Sequence, residues 1–287
     1  MPSREGVQAF SVQNKSSIRA ERYSFSVLFF MNLNIFKHME KGEIIYGINP
    51  VFEAIRTNRE RVDKIMIDRS LKNQRLFELL KFCRKNKAVV SLVPTGKIKQ
   101  WTGNVRHQGV IAFTAAKEFV PVEQIVRNAA EQGTKALVLV LDGVEDPHNM
   151  GAVIRSAAAA GAAGLILTPG GCCRLSATVA KTSAGAIEHI PIARPHDTAR
   201  TLDIFRKAGM NIYGLASNDA ENFYSEDFSQ KGSVICLGSE KSGIRPHIKR
   251  MCDRLLQIPI KGEVESLNVS VAAGIAVFEV LRQRKTA

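Results

Sequence analysis

Apolar and polar positions along the chain settle into a regular beat only from about residue 43. Asn49-Pro50 reads as a helix N-cap followed by proline at the first helical position, opening a helix that runs to about Thr57. Val62 to Ile67 alternates as a half-buried strand does. From Asn73 to Lys87, Leu76, Phe77, Leu79, Leu80 and Cys83 recur at helical spacing, with lysines and arginines around them. Ala88 to Val93 reads as a strand ended by Pro94, a short basic helix carries Lys97, Lys99 and Trp101, and Val110 to Thr114 is a further strand. This alternation predicts a small α/β sandwich. A helix over Val122 to Gln132, closed by Gly133, follows and reads as a linker with structure of its own.

Beyond the linker the period changes. Ala136 to Leu141 is an unbroken apolar run, as in a strand buried on both faces. The turn Asp142-Gly143-Val144-Glu145-Asp146-Pro147-His148 leads into a helix expected to begin at Asn149, with Met150, Val153, Ile154, Ala157 and Ala158 as its buried face and Arg155 off that stripe. Further strands are expected at Leu165–Thr168, Ile190–Ile192, Asn211–Leu215, Val234–Leu237 and Leu255–Ile258, most of them separated by helical segments. The pattern predicts a parallel, doubly wound sheet. Two of its units share one plan. The run ending at Leu237 passes into Gly238-Ser239-Glu240-Lys241-Ser242-Gly243. The run ending at Ile260 passes into a polar loop and then Ser266-Leu267-Asn268-Val269-Ser270 and a last helix, Ser270 to Arg282. Loops of adjacent parallel strands lie at one carboxyl edge, where ligands bind in open α/β sheets.

Charge sharpens this division. Of the net +13, residues 1–134 hold +10 (22 Lys/Arg against 12 Asp/Glu) and residues 135–287 only +3 (18 against 15). Nearly all of the excess lies between Lys41 and Lys117, with 16 basic and 6 acidic residues. A basic front and a near-neutral back suggest a polyanion held by one part and chemistry done by the other. The five cysteines are odd in number, two are adjacent and none stands in C-x-x-C spacing; the six histidines are scattered. Neither a disulfide framework nor a metal site is expected, and a reducing, cytoplasmic compartment fits. No apolar run reaches the length of a membrane span. Residues 1–40 read as a poorly ordered leader upstream of a natural start at Met39. The alternative is a targeting peptide, with Arg4, Lys15, Arg19 and Arg22 before the short run Val27 to Met31, but no signal-cleavage site follows. His107, in a turn before the strand at Val110, reads as structural.

The loop after the first strand of the large sheet, Asp142 to Gly151, is not the G-x-G-x-x-G of a dinucleotide fold, which excludes the common oxidoreductase reading. There is no Walker lysine loop and no G-x-S-x-G elbow. Instead three segments stand in order: Asp142-Gly143-Val144-Glu145-Asp146-Pro147-His148-Asn149-Met150-Gly151 with Arg155, then Leu237-Gly238-Ser239-Glu240, then Ile258-Pro259-Ile260 with Ser266-Leu267-Asn268-Val269-Ser270. Together they resemble the three motifs of the SpoU group of SPOUT methyltransferases, which move a methyl from S-adenosylmethionine to a ribose 2′-hydroxyl of RNA. The resemblance covers residues 135–287. Residues 41–117 resemble an L30e-like RNA substrate-binding domain, joined by the linker 118–134, in the plan of the 23S rRNA guanosine 2′-O-methyltransferases of this group.

The resemblance implies a deep trefoil knot at the C-terminal end, a homodimer, and a named set of residues. Gly238, Ile258, Leu267, Ser217 and Pro259 are expected at the cofactor, and Arg155, Asn149, Glu240, Asn268 and Ser270 at the reaction centre. Lys241 departs from the glycine frequent in the family, a strain if that position needs positive φ. For Asn149, helix capping alone is a full explanation, and for Ser270 capping and catalysis stand level. Glu240 reads either as a buried carboxylate holding loops or as a partner of the RNA ribose. Small residues in the last helix (Ala272, Ala273, Gly274, Ala276) suit either a knot or ordinary tight packing. Arg155 is a poor general base, so its expected part is electrostatic: stabilising the developing alkoxide while its planar fork grips a phosphate. The alternatives are a tRNA methyltransferase of the same group and a non-catalytic RNA-binding protein.

Overall fold

The computed structural model describes residues 42–70, 74–115, 117–217 and 220–286. The expected leader therefore lies outside the described residues, as does Asn73. The first part of the chain runs β1 (Gly42–Tyr46), α1 (Ile48–Thr57), β2 (Val62–Asp68), α2 (Gln74–Lys85), β3 (Val90–Val93), α3 (Thr95–Thr102) and β4 (Val110–Ala115). These strands form a mixed sheet in the order β1-β4-β2-β3, with β2 antiparallel to β4 and parallel to β3. The expected cap at Asn49 is corrected: the helix starts two residues earlier, behind Gly47 at φ 102, and Asn49 Oδ1 instead accepts from Arg75 Nη2 at 2.7 Å. His107 is structural, its Nδ1 accepting from Gly109 N at 3.0 Å in a turn where Gln108 holds φ 55. Burial lowers its pKa, which favours the neutral ring that this acceptor requires.

After α4 (Val122–Gln132) come β5 (Leu137–Asp142), α5 (Pro147–Ala159), β6 (Gly164–Leu167), α6 (Ala177–Thr182), β7 (Ile192–Ala193), α7 (Thr198–Lys207), β8 (Asn211–Leu215), β9 (Glu221–Asn222), β10 (Ser233–Gly238), α8 (Pro246–Lys249), β11 (Arg254–Gln257) and α9 (Val269–Thr286). Seven strands form one wholly parallel sheet in the order β7-β6-β5-β10-β8-β11-β9. The late strands β10 and β11 thus slot between earlier ones. Expected strands stand within one or two residues of the observed ones; β1 and the two-residue β9 have no counterpart among them.

Side-chain period explains the layers. Leu137, Leu139 and Leu141 of β5 join one apolar cluster, and Val138 and Val140 join the other. Strand β10 divides in the same way, with Ile235 and Leu237 on one face and Val234 and Cys236 on the opposite one. The first face carries α5 and α9; the second carries α4 and α7. The first cluster also takes in Val51, Ile55, Ile65 and Leu79, so one apolar core continues into the small sheet. Polar contacts join the same parts: Arg61 Nη1 donates to Glu188 Oε2 at 2.5 Å, Lys181 Nζ to the Arg106 carbonyl at 2.7 Å, and His189 Nε2 meets Glu53 Oε2 at 2.6 Å. No helix among the described residues is long and apolar enough to cross a membrane.

The last helix is fastened at the amino edge of the large sheet. Arg284 is 7% exposed, and its guanidinium donates to the carbonyls of Phe228 (3.0 Å), Lys135 (2.6 Å) and Lys231 (3.3 Å) and to Ser233 Oγ (2.9 Å). Burial depresses its pKa to about 10, since no carboxylate repays the lost hydration. Arg284→Met leaves the buried Phe228 carbonyl, the buried Ser233 hydroxyl and the part-buried carbonyls of Lys135 and Lys231 without their donor. The expected loss is about 3 kcal/mol, or roughly 6–12 °C in Tm, read by urea and thermal unfolding. A loss below about 0.5 kcal/mol would mean that water from the 210 Å³ cavity beside Arg284 replaces the guanidinium.

Candidate active site

Parallel strands share a direction, so the carboxyl ends of β5, β10, β8 and β11 meet at one edge, with Gly238 in register with Asp142 and Leu256 with Leu215. A cavity of about 800 Å³ opens there. Its wall comes from Leu215–Ser217 after β8, Leu237–Ile244 after β10, Ile258, Ile260 and Glu265–Leu267 after β11, Lys249 of α8, and Val269 and Ala272 of α9.

An ion pair between a buried carboxylate and a partly exposed guanidinium shapes this edge. The Asp142 side chain, at the end of β5, is fully buried, and its Oδ1 accepts from Thr168 Oγ1 (2.9 Å) and Arg245 Nε (2.6 Å) while Oδ2 accepts from Arg245 N (2.7 Å). The Arg245 fork also reaches the Pro169 carbonyl at 3.3 Å. Three strand-end loops are therefore tied to one carboxylate. The β10 loop closes on itself through an antiparallel bridge between Ser239 and Gly243 and a contact of 2.8 Å between Ser239 Oγ and Ser242 Oγ. Gly238 is needed for space: a Cβ there would stand 1.9 Å from the Gly243 carbonyl carbon. The positive φ belongs to Gly243 (63°), and Lys241 is free of that strain.

At the cavity mouth a hydrogen-bonded chain joins three distant segments. Asn149 Nδ2 donates to Glu240 Oε1, 91 residues away. Asn268 Nδ2 donates to Asn149 Oδ1 (3.1 Å) and to Glu240 Oε1 (3.4 Å). Asn268 Oδ1 in turn accepts from Ser270 N (2.9 Å) and Ser270 Oγ (2.6 Å), the cap of α9. Two expectations are corrected here. Asn149 does not cap α5, because Asp146 accepts from His148 N (2.9 Å) and Pro147 takes the first helical position, freeing the Asn149 amide. Glu240 is exposed, and the buried carboxylate of the edge is Asp142.

Of the residues expected at the cofactor, Gly238, Ile258, Leu267 and Ser217 line the cavity, and Pro259 lies between the lining residues Ile258 and Ile260 without lining it. Of those expected at the reaction centre, Glu240 lines it, with Asn149, Asn268 and Ser270 joined to Glu240 as described. Arg155 does not line it. It is exposed on α5, two turns beyond the start of that helix, and makes no hydrogen bond or ion pair among the described residues. Arg245 was missed, for a pairing across 103 residues leaves no local signal. Two thiols here are disfavoured as nucleophiles: burial pushes Cys173 up to about 11, and a hydrogen bond with Cys252 together with burial holds Cys236 well above the ordinary range. No cluster of His, Cys, Asp and Glu that could hold a metal ion occurs among the described residues.

Comparison with known proteins covers both parts of the chain. Residues 136–278 match the SpoU rRNA Methylase family, and residues 44–120 match the family described as RNA 2'-O ribose methyltransferase substrate binding. The chain is 39% identical over 246 residues to the 23S rRNA (guanosine-2'-O-)-methyltransferase RlmB of Xanthomonas axonopodis pv. citri, covering 85% of this chain and 98% of that protein. It is 41% identical over 246 residues to the protein of the same name from Xylella fastidiosa, with the same coverage. Among solved structures, the SpoU methyltransferase AviRb from Streptomyces viridochromogenes, in complex with AdoMet, shares the fold with a TM-score of 0.72 at 22% identity, over 86% of this chain and 92% of that one.

The pair at Asp142 has a measurable weight. Arg245→Met strands the Asp142 carboxylate with one hydroxyl and one amide, and the expected cost is about 3–5 kcal/mol in urea unfolding. Arg245→Lys should recover only part of it, because an ammonium cannot reproduce the planar fork. Full stability in Arg245→Met would show that this pair does not hold the edge together.

Proposed function

Because the chain belongs to the SpoU rRNA methylase family, we propose that it methylates the ribose 2′-hydroxyl of a guanosine in 23S rRNA, using S-adenosylmethionine. The observation that carries this reading is the joining of Asn149, Glu240 and Asn268 at the mouth of a strand-edge cavity. These residues come from three separate sequence segments and have no structural need to meet at an exposed place.

The cavity suits the methyl donor. Its volume of about 800 Å³ falls in the range of small-molecule sites. Ile258 and Leu267 offer apolar faces for a flat base, and the chain on either side of Gly238 offers backbone donors and acceptors. When bound, S-adenosylmethionine supplies a sulfonium methyl that is already electrophilic, so the protein's task is to bring in the 2′-oxygen and raise its negative charge. Glu240 engages the two asparagines through Oε1, which leaves Oε2 free to accept from a ribose hydroxyl. Arg155, exposed and unpaired, is the catalytic cation: its guanidinium stabilises the developing alkoxide and grips the adjacent phosphate. One such donor contributes about 3–4 kcal/mol, and alignment of the two reactants about 7–11. Alignment dominates.

Residues 41–117 serve as the L30e-like RNA-binding domain, followed by the linker 118–134 and the methyltransferase domain 135–287, and the cationic surplus of the first part supports this division. The C-terminal segment forms the trefoil knot of the family, a reading supported by the late strands β10 and β11 that slot between earlier ones and by α9 folded back on α5. The protein works as a homodimer: Val271 and Phe278, seven residues apart on α9, are 49% and 48% exposed and offer an apolar face to a second copy. Five free cysteines support a reducing, cytoplasmic setting.

Two measurements test the activity. Mapping of 2′-O-methyl groups in total RNA from cells with and without the protein should show one guanosine of 23S rRNA losing its methyl; a lost mark in tRNA instead would move the substrate. In vitro, Arg155→Lys should lower methyl transfer by about 10² to 10³ while cofactor affinity stays near wild type. Wild-type turnover in that variant would end its assignment.

A further inference from the structure

Four charged side chains stand in the cavity wall: Glu240, Lys241, Glu265 and Lys249. They are not equivalent. Glu240 is engaged by Asn149 and Asn268. Lys241 stands at the exposed tip of the turn closed by Ser239 and Gly243. Glu265 lies in the loop between β11 and α9, outside any helix or strand. Lys249 alone is carried by a rigid base, the last residue of α8. That helix has Pro246 at its start and Ile248 fully buried, and it follows Arg245, whose side chain is held by the buried Asp142. The Lys249 amide donates to the Arg245 carbonyl at 2.9 Å, yet its ammonium makes no hydrogen bond or ion pair among the described residues. A cation carried by a fixed backbone, lining a cavity and left without a counter-ion, is placed to take an anion.

The ligand read for this cavity carries one such group. S-adenosylmethionine has an apolar, flat nucleoside end and a zwitterionic amino-acid tail, and its carboxylate is its one anionic group. We propose that Lys249 anchors the carboxylate of the donor's amino-acid tail, so that α8 fixes the tail while the β11 loop holds the base. This rests on the methyltransferase reading given above. Held at both ends, the donor presents its methyl in one place at the mouth, beneath Glu240. Lys249 then also discriminates among nucleosides, favouring those with the tail over those that have lost it.

The test uses two ligands that share the nucleoside. S-adenosylhomocysteine retains the amino-acid tail, whereas 5′-methylthioadenosine lacks it. Calorimetric titration of the full chain should show Lys249→Met weakening S-adenosylhomocysteine about tenfold while 5′-methylthioadenosine binds as it does to wild type. Lys249→Arg should restore S-adenosylhomocysteine to within about threefold of wild type, since the anion still finds a cation. Raising the salt should weaken S-adenosylhomocysteine on the wild type and not on Lys249→Met. Equal loss of both ligands in Lys249→Met would overturn the proposal and leave Lys249 as a piece of wall, as would unchanged binding of S-adenosylhomocysteine. Wild-type protein that binds neither ligand would overturn the donor reading itself, a result distinct from either.

Discussion

The candidate site depends on a carboxylate that has no water. Placing the Asp142 side chain wholly out of solvent at the end of β5 costs several kcal/mol unless every lone pair finds a donor. Thr168, the Arg245 amide and the Arg245 fork supply those donors, and each comes from outside β5. The consequence is a sharp preference for one arrangement of the edge. If the loop after β10 shifts by an ångström, a buried charge loses its partner, whereas the exposed bonds among Asn149, Glu240 and Asn268 are worth only about 0.5–1.5 kcal/mol each and could not hold the loop alone. The buried carboxylate sets the geometry, and the exposed trio inherits it.

Legibility in the sequence follows the range of the interaction. The apolar runs of β5 and β10 were readable because burial on both faces leaves almost no polar position to confuse the period. The strands missed, β1 and β9, lie at sheet edges, and β9 has only two residues, too few to set a period. Helix starts misled for a specific reason. Both Asn49 and Asn149 have the chemistry of a cap, but Gly47 and Asp146 stand upstream and take that position first. In the second case the difference has a functional consequence, since an asparagine consumed as a cap could not reach Glu240. The family resemblance pointed to Asn149, Glu240 and Asn268 together, while Arg245 stayed hidden because its partner lies 103 residues away in the chain.

The glycines make a related distinction between conformation and room. Gly238 and Gly151 keep ordinary negative φ, yet a Cβ on Gly238 would strike the backbone at Gly243, and one on Gly151 would strike Thr182 Oγ1 at 1.9 Å. Each marks a close approach, the first of a loop against its own strand, the second of α5 against α6. Gly243 is the one with left-handed backbone, at φ 63, so the lysine at 241 is tolerated because the turn places its unusual residue two positions later. Gly274 belongs to neither class: a Cβ there would meet Ser156 Oγ at 3.9 Å, an ordinary contact, so the close packing of α9 rests on Ala273 and Ala276 instead.

The last helix turns these local constraints into a property of the whole sheet. With 18 residues, α9 spans about 27 Å, enough to run from one edge of the strands to the other. At its start Asn268 is tied to Asn149 and Glu240 at the cavity mouth, and near its end the Arg284 guanidinium is buried among carbonyls at the amino edge. Between them Val269, Ala273, Ala276, Val277 and Val280 lie buried in the apolar core along one side. A helix fixed at both ends and along its length cannot slide, and so the position of Asn268 is set as much by Arg284 at the far edge as by its own hydrogen bonds. The polar loop 261–266 between β11 and this helix lies between the two anchored parts, and Glu265 and Ser266 of that loop complete the cavity wall.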